Sequence, residues 1–148
     1  MDLPTILLML AAISPGAEKM KDARAIAVEV WNVAETPREA ATLLVTAWEE
    51  SRFQQSAVGD GGQARTAYQL HGAPRTAVLD IGEATRIASA RLRASARLCP
   101  RWPLAVYASG SCDRGHRLND RRMAEIVRIE QAVVDEPATM DEWKELAP

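Results

Sequence analysis

Three observations predict a mainly α protein with a single domain. Its 148 residues are 47% hydrophobic, enough for one core and too few for two ordinary domains. Apolar residues recur at three- and four-residue spacing through most of the chain, bracketed by strong helix start and stop signals. The one Gly-rich polar interval, Val58 to Ala73, leaves room for at most a small β-hairpin or loop. No internal repeat or low-complexity tract interrupts the pattern.

Asp2 as N-cap, Pro4 in the first turn and Ser14-Pro15-Gly16 as the stop define a short core helix over Met1 to Ser14. Its apolar run, Ile6 to Ile13, is eight residues long, against the roughly 20 needed to cross a bilayer. The side-chain charge before it is Asp2, where a secretory signal carries basic residues, so neither a transmembrane segment nor a signal peptide is recognisable. A second helix is expected from Ala17 to about Ala34, with Ala23, Ile26, Ala27, Val30 and Trp31 at helical spacing and a break at Glu35-Thr36-Pro37.

The next helix opens with a capping box. Thr36 is the N-cap, Pro37 takes the first helical position, and Glu39 is placed to reach back to the Thr36 N–H; the helix should run to about Glu50. After the glycine loop a helix covers about Ile81 to Leu98, Pro100 and Pro103 frame a turn, and Leu104 to Ser109 form a short buried helix. Asn119 is expected to cap a last helix through about Val133, followed by a polar tail, Val134 to Pro148, with room for one turn around Trp143. The chain thus divides into an N-terminal helix (1–16), a main domain (17–133) and a tail (134–148).

The formal net charge of −2 and a pI near 5.7 argue against a nucleic-acid partner. Charge is nevertheless uneven: between Arg86 and Arg128 ten arginines face only Asp113, Asp120 and Glu125. Arg86, Arg93 and Arg97 share one helical stripe, either a solvated face or a surface for an anionic polymer. His71 and His116 are the two histidines, too few and too distant for a zinc site, and no cysteine pair has ligand spacing, so no metal or cofactor is implied. Ser51 and His71 lack the elbow motif of a serine hydrolase. Cys99 and Cys112 are open to two readings, a bridge or two buried thiols.

The chemistry concentrates where the capped helix stops. On a wheel of residues 38–50, Glu50 lies beside the Leu43 edge of the apolar stripe and Glu49 falls on the polar side near Arg38 and Thr42. A carboxyl at an apolar edge loses hydration, which raises its pKa and suits it to general-acid work. Asp60, in Gly59-Asp60-Gly61-Gly62, is either a turn residue whose oxygens take backbone N–H groups or a second carboxylate that positions water.

Glu50-Ser51-Arg52-Phe53, the glycine loop with Ala67-Tyr68-Gln69-Leu70, and Leu104-Ala105-Val106-Tyr107-Ala108-Ser109-Gly110 resemble, in order, three motifs of the lysozyme-like lytic transglycosylases. The wider resemblance covers about residues 17–132 and implies a lysozyme-like single domain. It implies Glu50 as catalytic acid/base, Ser51 as the neighbour that orients substrate or Glu50, and Gln69 and Tyr68 as contacts in the sugar groove. It also implies Tyr107 as a tyrosine whose hydroxyl points at the catalytic carboxylate. Ala108 stands where the motif has Asn, and Thr66-Ala67-Tyr68 replaces Gly-Leu-x, so the β-side of the groove is expected to be built differently. Such departures resemble phage-type members. The implied substrate is the glycan strand of peptidoglycan, cut at the β-1,4 bond between N-acetylmuramic acid and N-acetylglucosamine, in the bacterial wall or periplasm. The expected products are 1,6-anhydro sugars. The alternatives are a hydrolytic muramidase using Glu50 with Asp60, and a non-catalytic virion protein on the same fold whose partners are other virion proteins.

Overall fold

The computed structural model describes residues 1–72 and 79–135, of which 134 and 135 by backbone alone. Helix α1 (Leu3–Ile13) starts at its expected cap: the Asp2 carboxylate accepts the Thr5 N–H at 3.0 Å, and Ile6, Met9 and Leu10 are fully buried. The stretch expected as one helix from Ala17 is divided into a 3-10 turn, Ala17–Lys19, and α2 (Lys21–Val33). Trp31 lies off the inner face, 44% exposed, with its indole N–H donated to the Met1 carbonyl at 3.2 Å.

Helix α3 (Pro37–Ser51) runs through the centre, packed against α1, α2, α4 and α6. Ala40, Ala41 and Ala47 keep its surface small where neighbours approach, and Leu43, Leu44 and Val45 fill the remaining space. Thr36 accepts the Glu39 N–H as predicted, but the Glu39 carboxylate reaches past the cap to the Glu35 N–H, at 3.0 Å. Glu39 also accepts Ser89 at 2.8 Å and Arg93 at 2.7 Å, tying α3 to α4. Burial pushes the Glu39 carboxyl up, and the bonds from Arg93, Glu35 and Ser89 outweigh it, holding it below the usual carboxylate range. Arg93 is therefore committed to Glu39 and Glu35, so the expected stripe is not a uniform free surface; Arg86 and Arg97 are exposed.

The glycine interval contains more than a hairpin. Strands β1 (Val58–Gly59), β2 (Ala64–Arg65) and β3 (Leu70–His71) form an antiparallel sheet in that order, pairing Val58 with Arg65 and Arg65 with Leu70. Left-handed backbone at Thr66 and Gln69 turns the chain back a second time and lets Leu70 bury. Two-residue strands have no readable alternation, so sequence periodicity misses the third. Gly59 leaves room for the Gln69 amide, whose Oε1 a Cβ at that position would strike.

Helix α4 (Ile81–Leu98) has the predicted bounds and is capped by Asp80, which accepts the Glu83 N–H at 2.7 Å. Helix α5 (Ala105–Ser109) follows the proline turn, and α6 (Cys112–Asp135) begins seven residues before the Asn119 start expected for it. Asn119 is buried inside α6, and its Oδ1 accepts the Leu104 N–H at 2.9 Å, at the entrance to α5. It caps a helix, but not its own. The tail from 136 onward, including the turn expected around Trp143, lies outside the described residues.

Cys99 and Cys112 are disulfide-bonded, with Cα atoms 5.8 Å apart, joining the end of α4 to the start of α6 and fastening α5 between them. A bridge over a 13-residue separation stabilises by about 3 kcal/mol in the chain-entropy account. Reduction, or the Cys99→Ser/Cys112→Ser pair, should lower the melting temperature by roughly 6–12 °C. Scanning calorimetry with and without reductant checks this, and an unchanged melting point would mean that the bridge constrains nothing.

No helix among the described residues is long and apolar enough to cross a membrane.

Candidate active site

Helix α3 ends in Glu49, Glu50 and Ser51, and the chain leaves it through Arg52 and Phe53, both with positive φ. Phe53 is fully buried, its ring centroid 5.5 Å from that of Trp48, while the Arg52 guanidinium lies 4.4 Å over the Trp48 ring. Packing thus holds two strained residues immediately after the glutamates. Among the described residues, the non-glycines with positive φ are Arg52, Phe53, Asp60, Thr66 and Gln69, all between α3 and β3. Left-handed backbone at non-glycines costs of order 1 kcal/mol per residue and persists only where the surroundings impose it.

Glu49 and Glu50 are equally exposed, at 20% and 21%, so the difference in burial expected from the helical wheel is absent. Their partners distinguish them. Glu49 pairs with exposed Arg121 and lies 3.9 Å from Arg52. Glu50 Oε1 accepts from Nη2 of Arg122 at 2.6 Å, and the Arg122 side chain is only 6% exposed. Nε and Nη1 of Arg122 are buried with no hydrogen-bond partner among the described residues. Glu50 therefore meets a buried cation where the wheel places only an apolar edge. Arg122 was legible in principle: it shares the buried stripe of α6 with Asn119, Ile126 and Ile129, and a charge on a core face requires a partner.

Ser51 is engaged at the helix end, its hydroxyl donating to the Ala47 carbonyl at 3.1 Å and accepting the Gln54 N–H at 3.0 Å. Tyr68, expected in the sugar groove, is fully buried, and its hydroxyl oxygen lies 3.4 Å from that of Thr85 on α4, so it belongs to the core. Burial raises its hydroxyl above the ordinary tyrosine value. Gln55, which the sequence does not single out, ties together α2 and two loop segments: its N–H goes to Asp22, its amide to the Leu79 carbonyl at 3.0 Å, and its Oε1 accepts the Ala67 N–H.

Tyr107 is half-buried on α5, and its hydroxyl donates to the Tyr68 carbonyl at 2.7 Å instead of to Glu50. Burial first, then the nearby Glu50 charge, push this hydroxyl above its ordinary value, so it remains protonated and a donor. Glu50, Arg122 and Tyr107 thus form one electrostatic cluster. Tyr107→Phe should cost about 1 kcal/mol of stability through the unpaired carbonyl, and should weaken any Glu50-dependent activity while the domain stays folded. Melting curves and rates on the same variant check both, and full activity with lowered stability would make Tyr107 a core residue only.

Tyr107 also borders a cleft of about 590 Å³ between β3, α4 and α5, whose lining includes Gln69, His71, Arg91, Ser95 and Leu98. Glu50 is not part of its lining, though its charge acts on the Tyr107 hydroxyl that borders the cleft. Gln69 reaches the cleft edge while its Nε2 donates to the Thr66 carbonyl at 3.0 Å. The Asp60 carboxylate does not take the N–H groups of its glycine turn; its Oδ2 contacts the His71 Nε2 at 2.8 Å, both side chains being exposed. The described residues contain no His, Cys, Asp and Glu cluster suited to a metal ion. Comparison with known proteins adds no relative: no known family, no curated protein and no solved structure matches this chain.

Proposed function

We propose that the chain is a lysozyme-like glycosidase that cuts the β-1,4 bond between N-acetylmuramic acid and N-acetylglucosamine in peptidoglycan strands, with Glu50 as acid/base. The observation that carries this reading is the setting of Glu50: a part-exposed carboxylate at the end of a buried helix, held through Oε1 by buried Arg122, with its charge acting on the hydroxyl of Tyr107, a residue that lines a cleft. Among the described residues Oε2 of Glu50 has no protein partner and is the oxygen available to protonate the leaving glycosidic oxygen. The concentration of left-handed backbone around it is the kind of strain that function maintains. After bond cleavage the same carboxylate accepts the C6 hydroxyl proton as that oxygen closes on the anomeric carbon, so a second carboxylate is unnecessary. Asp60, engaged with His71, supports this route over one in which Asp60 holds water. No cofactor enters either route. The site of action in this reading is the bacterial wall or periplasm, in a phage-type enzyme.

One observation favours a second reading. Both candidate carboxylates have side-chain partners against them, the Arg122 guanidinium and the His71 imidazole, as they would in a non-catalytic virion or assembly protein on the same scaffold. A zymogram on purified peptidoglycan separates the two. Clearing by the wild-type protein supports the enzyme; an uncleared band from correctly folded protein supports the assembly role.

A further inference from the structure

Among the described residues, the cleft beside Tyr107 is lined by Gln69, His71, Arg91 and Ser95 together with small and apolar side chains, and by no carboxylate. His71 has Asp60 against it, whereas Arg91 makes no ion pair among the described residues. One Arg91 nitrogen, Nη2, donates to the His71 carbonyl at 2.8 Å, which fixes the guanidinium at the cleft wall; its other N–H groups are uncommitted among the described residues. Apolar side chains flank it: Ala94 and Leu98 follow Arg91 along the same face of α4, Leu98 being 68% exposed, and Val106 and Ala108 come from α5. A wall of methyl groups with one oriented, unpaired guanidinium is complementary to a short peptide bearing methyl groups and free carboxylates.

From this complementarity we infer that the cleft is a subsite for the carboxylate-bearing peptide stems attached to the muramyl residues, with Arg91 as the residue that recognises a stem carboxylate. The inference rests on the proposed glycan-strand reading and adds to it the part of the substrate that this cleft selects. Tyr107, which lines the cleft and feels the Glu50 charge, links the held peptide to the acid that the sugar backbone passes.

The test is co-sedimentation of the full chain on ice with two preparations of insoluble sacculi, one untreated and one with its free carboxylates amidated by carbodiimide and methylamine. The wild-type protein should bind untreated sacculi about ten-fold more tightly than amidated ones, a difference that shrinks as salt is added. Arg91→Met, which keeps the apolar stem of the side chain, should lose that difference, and Arg91→Lys should restore part of it. Equal binding of wild-type protein to both preparations, or an Arg91→Met protein that still prefers untreated sacculi, overturns the inference. Clearing of sacculi at 37 °C, measured in parallel, keeps the two claims apart. Carboxylate-dependent binding through Arg91 without clearing retains the subsite and removes the glycosidase, while clearing without Arg91 dependence does the reverse.

Discussion

Glu50→Gln is expected to reduce wall clearing by at least about 100-fold, while Glu49→Gln retains most of it. The neighbouring carboxylates are alike in exposure, so the expected difference comes from their surroundings. Glu49 sits among exposed arginines, Arg121 and Arg52, in pairs of the kind worth about 0–1 kcal/mol, and its loss should change little. Glu50 is held by a buried guanidinium beside Tyr107. Replacing its carboxylate by an amide keeps the volume and an oxygen that can accept from Arg122, so the Glu50→Gln variant should fold while losing the transferable proton. Turbidity loss of a sacculus suspension measures both variants, with circular dichroism melts as the folding control. If Glu49→Gln is inactive and Glu50→Gln active, the assignment of the acid is wrong.

Gly115→Ala should destabilise the protein by about 2–3 kcal/mol, although a Gly-to-Ala change inside a helix ordinarily stabilises by up to about 1 kcal/mol. The sign reverses because of where α6 crosses α5. A Cβ on residue 115 would lie 2.5 Å from the Ala105 carbonyl oxygen and 2.6 Å from its Cα, and backbone atoms cannot swing aside as a side-chain end can. The helices must separate, and the Leu104 N–H held by Asn119 one turn further along α6 is pulled with them. The expected drop in melting temperature is roughly 4–12 °C, read by calorimetry. An unchanged or raised melting point would show that α5 is not seated on α6 as described.

The parts of the fold that were legible in the sequence are those fixed by neighbours in the chain. Asp2 with Pro4, Thr36 with Pro37, and the stretch from Ile81 to Leu98 each announce a helix through local caps and 3.6-residue spacing, and the structure has those helices within a residue or so. What was not legible depends on contacts between distant segments. Asn119 has the chemistry of a cap, but which helix it caps is settled by α5 lying across α6. Gly115 resembles a helix breaker until Ala105 is placed against it. The third strand exists because Thr66 and Gln69 adopt left-handed backbone, which neither residue type signals.

The same division applies to the candidate site. Glu50 at a helix end could be located from the sequence, and so could Tyr107 on a short helix. The Arg122 partner lies 72 residues further along the chain and could only be suspected as a charge on an apolar stripe. Tyr68 belongs to the core and not to a groove because Tyr68 and Gln69 are adjacent in sequence but not in exposure: the positive-φ Gln69 backbone starts the chain into β3, leaving Gln69 at the cleft and Tyr68 fully buried.

Mass spectrometry of the soluble products from purified sacculi tests the central claim most directly, because hydrolysis adds a water that intramolecular closure by the C6 hydroxyl does not. With Glu50 alone serving as acid and then base, and Asp60 engaged by His71, the dominant products should be 1,6-anhydro-muropeptides, and they should vanish in Glu50→Gln. Muropeptides with ordinary reducing ends that disappear in Asp60→Asn would contradict the account and make Glu50 and Asp60 a hydrolytic pair.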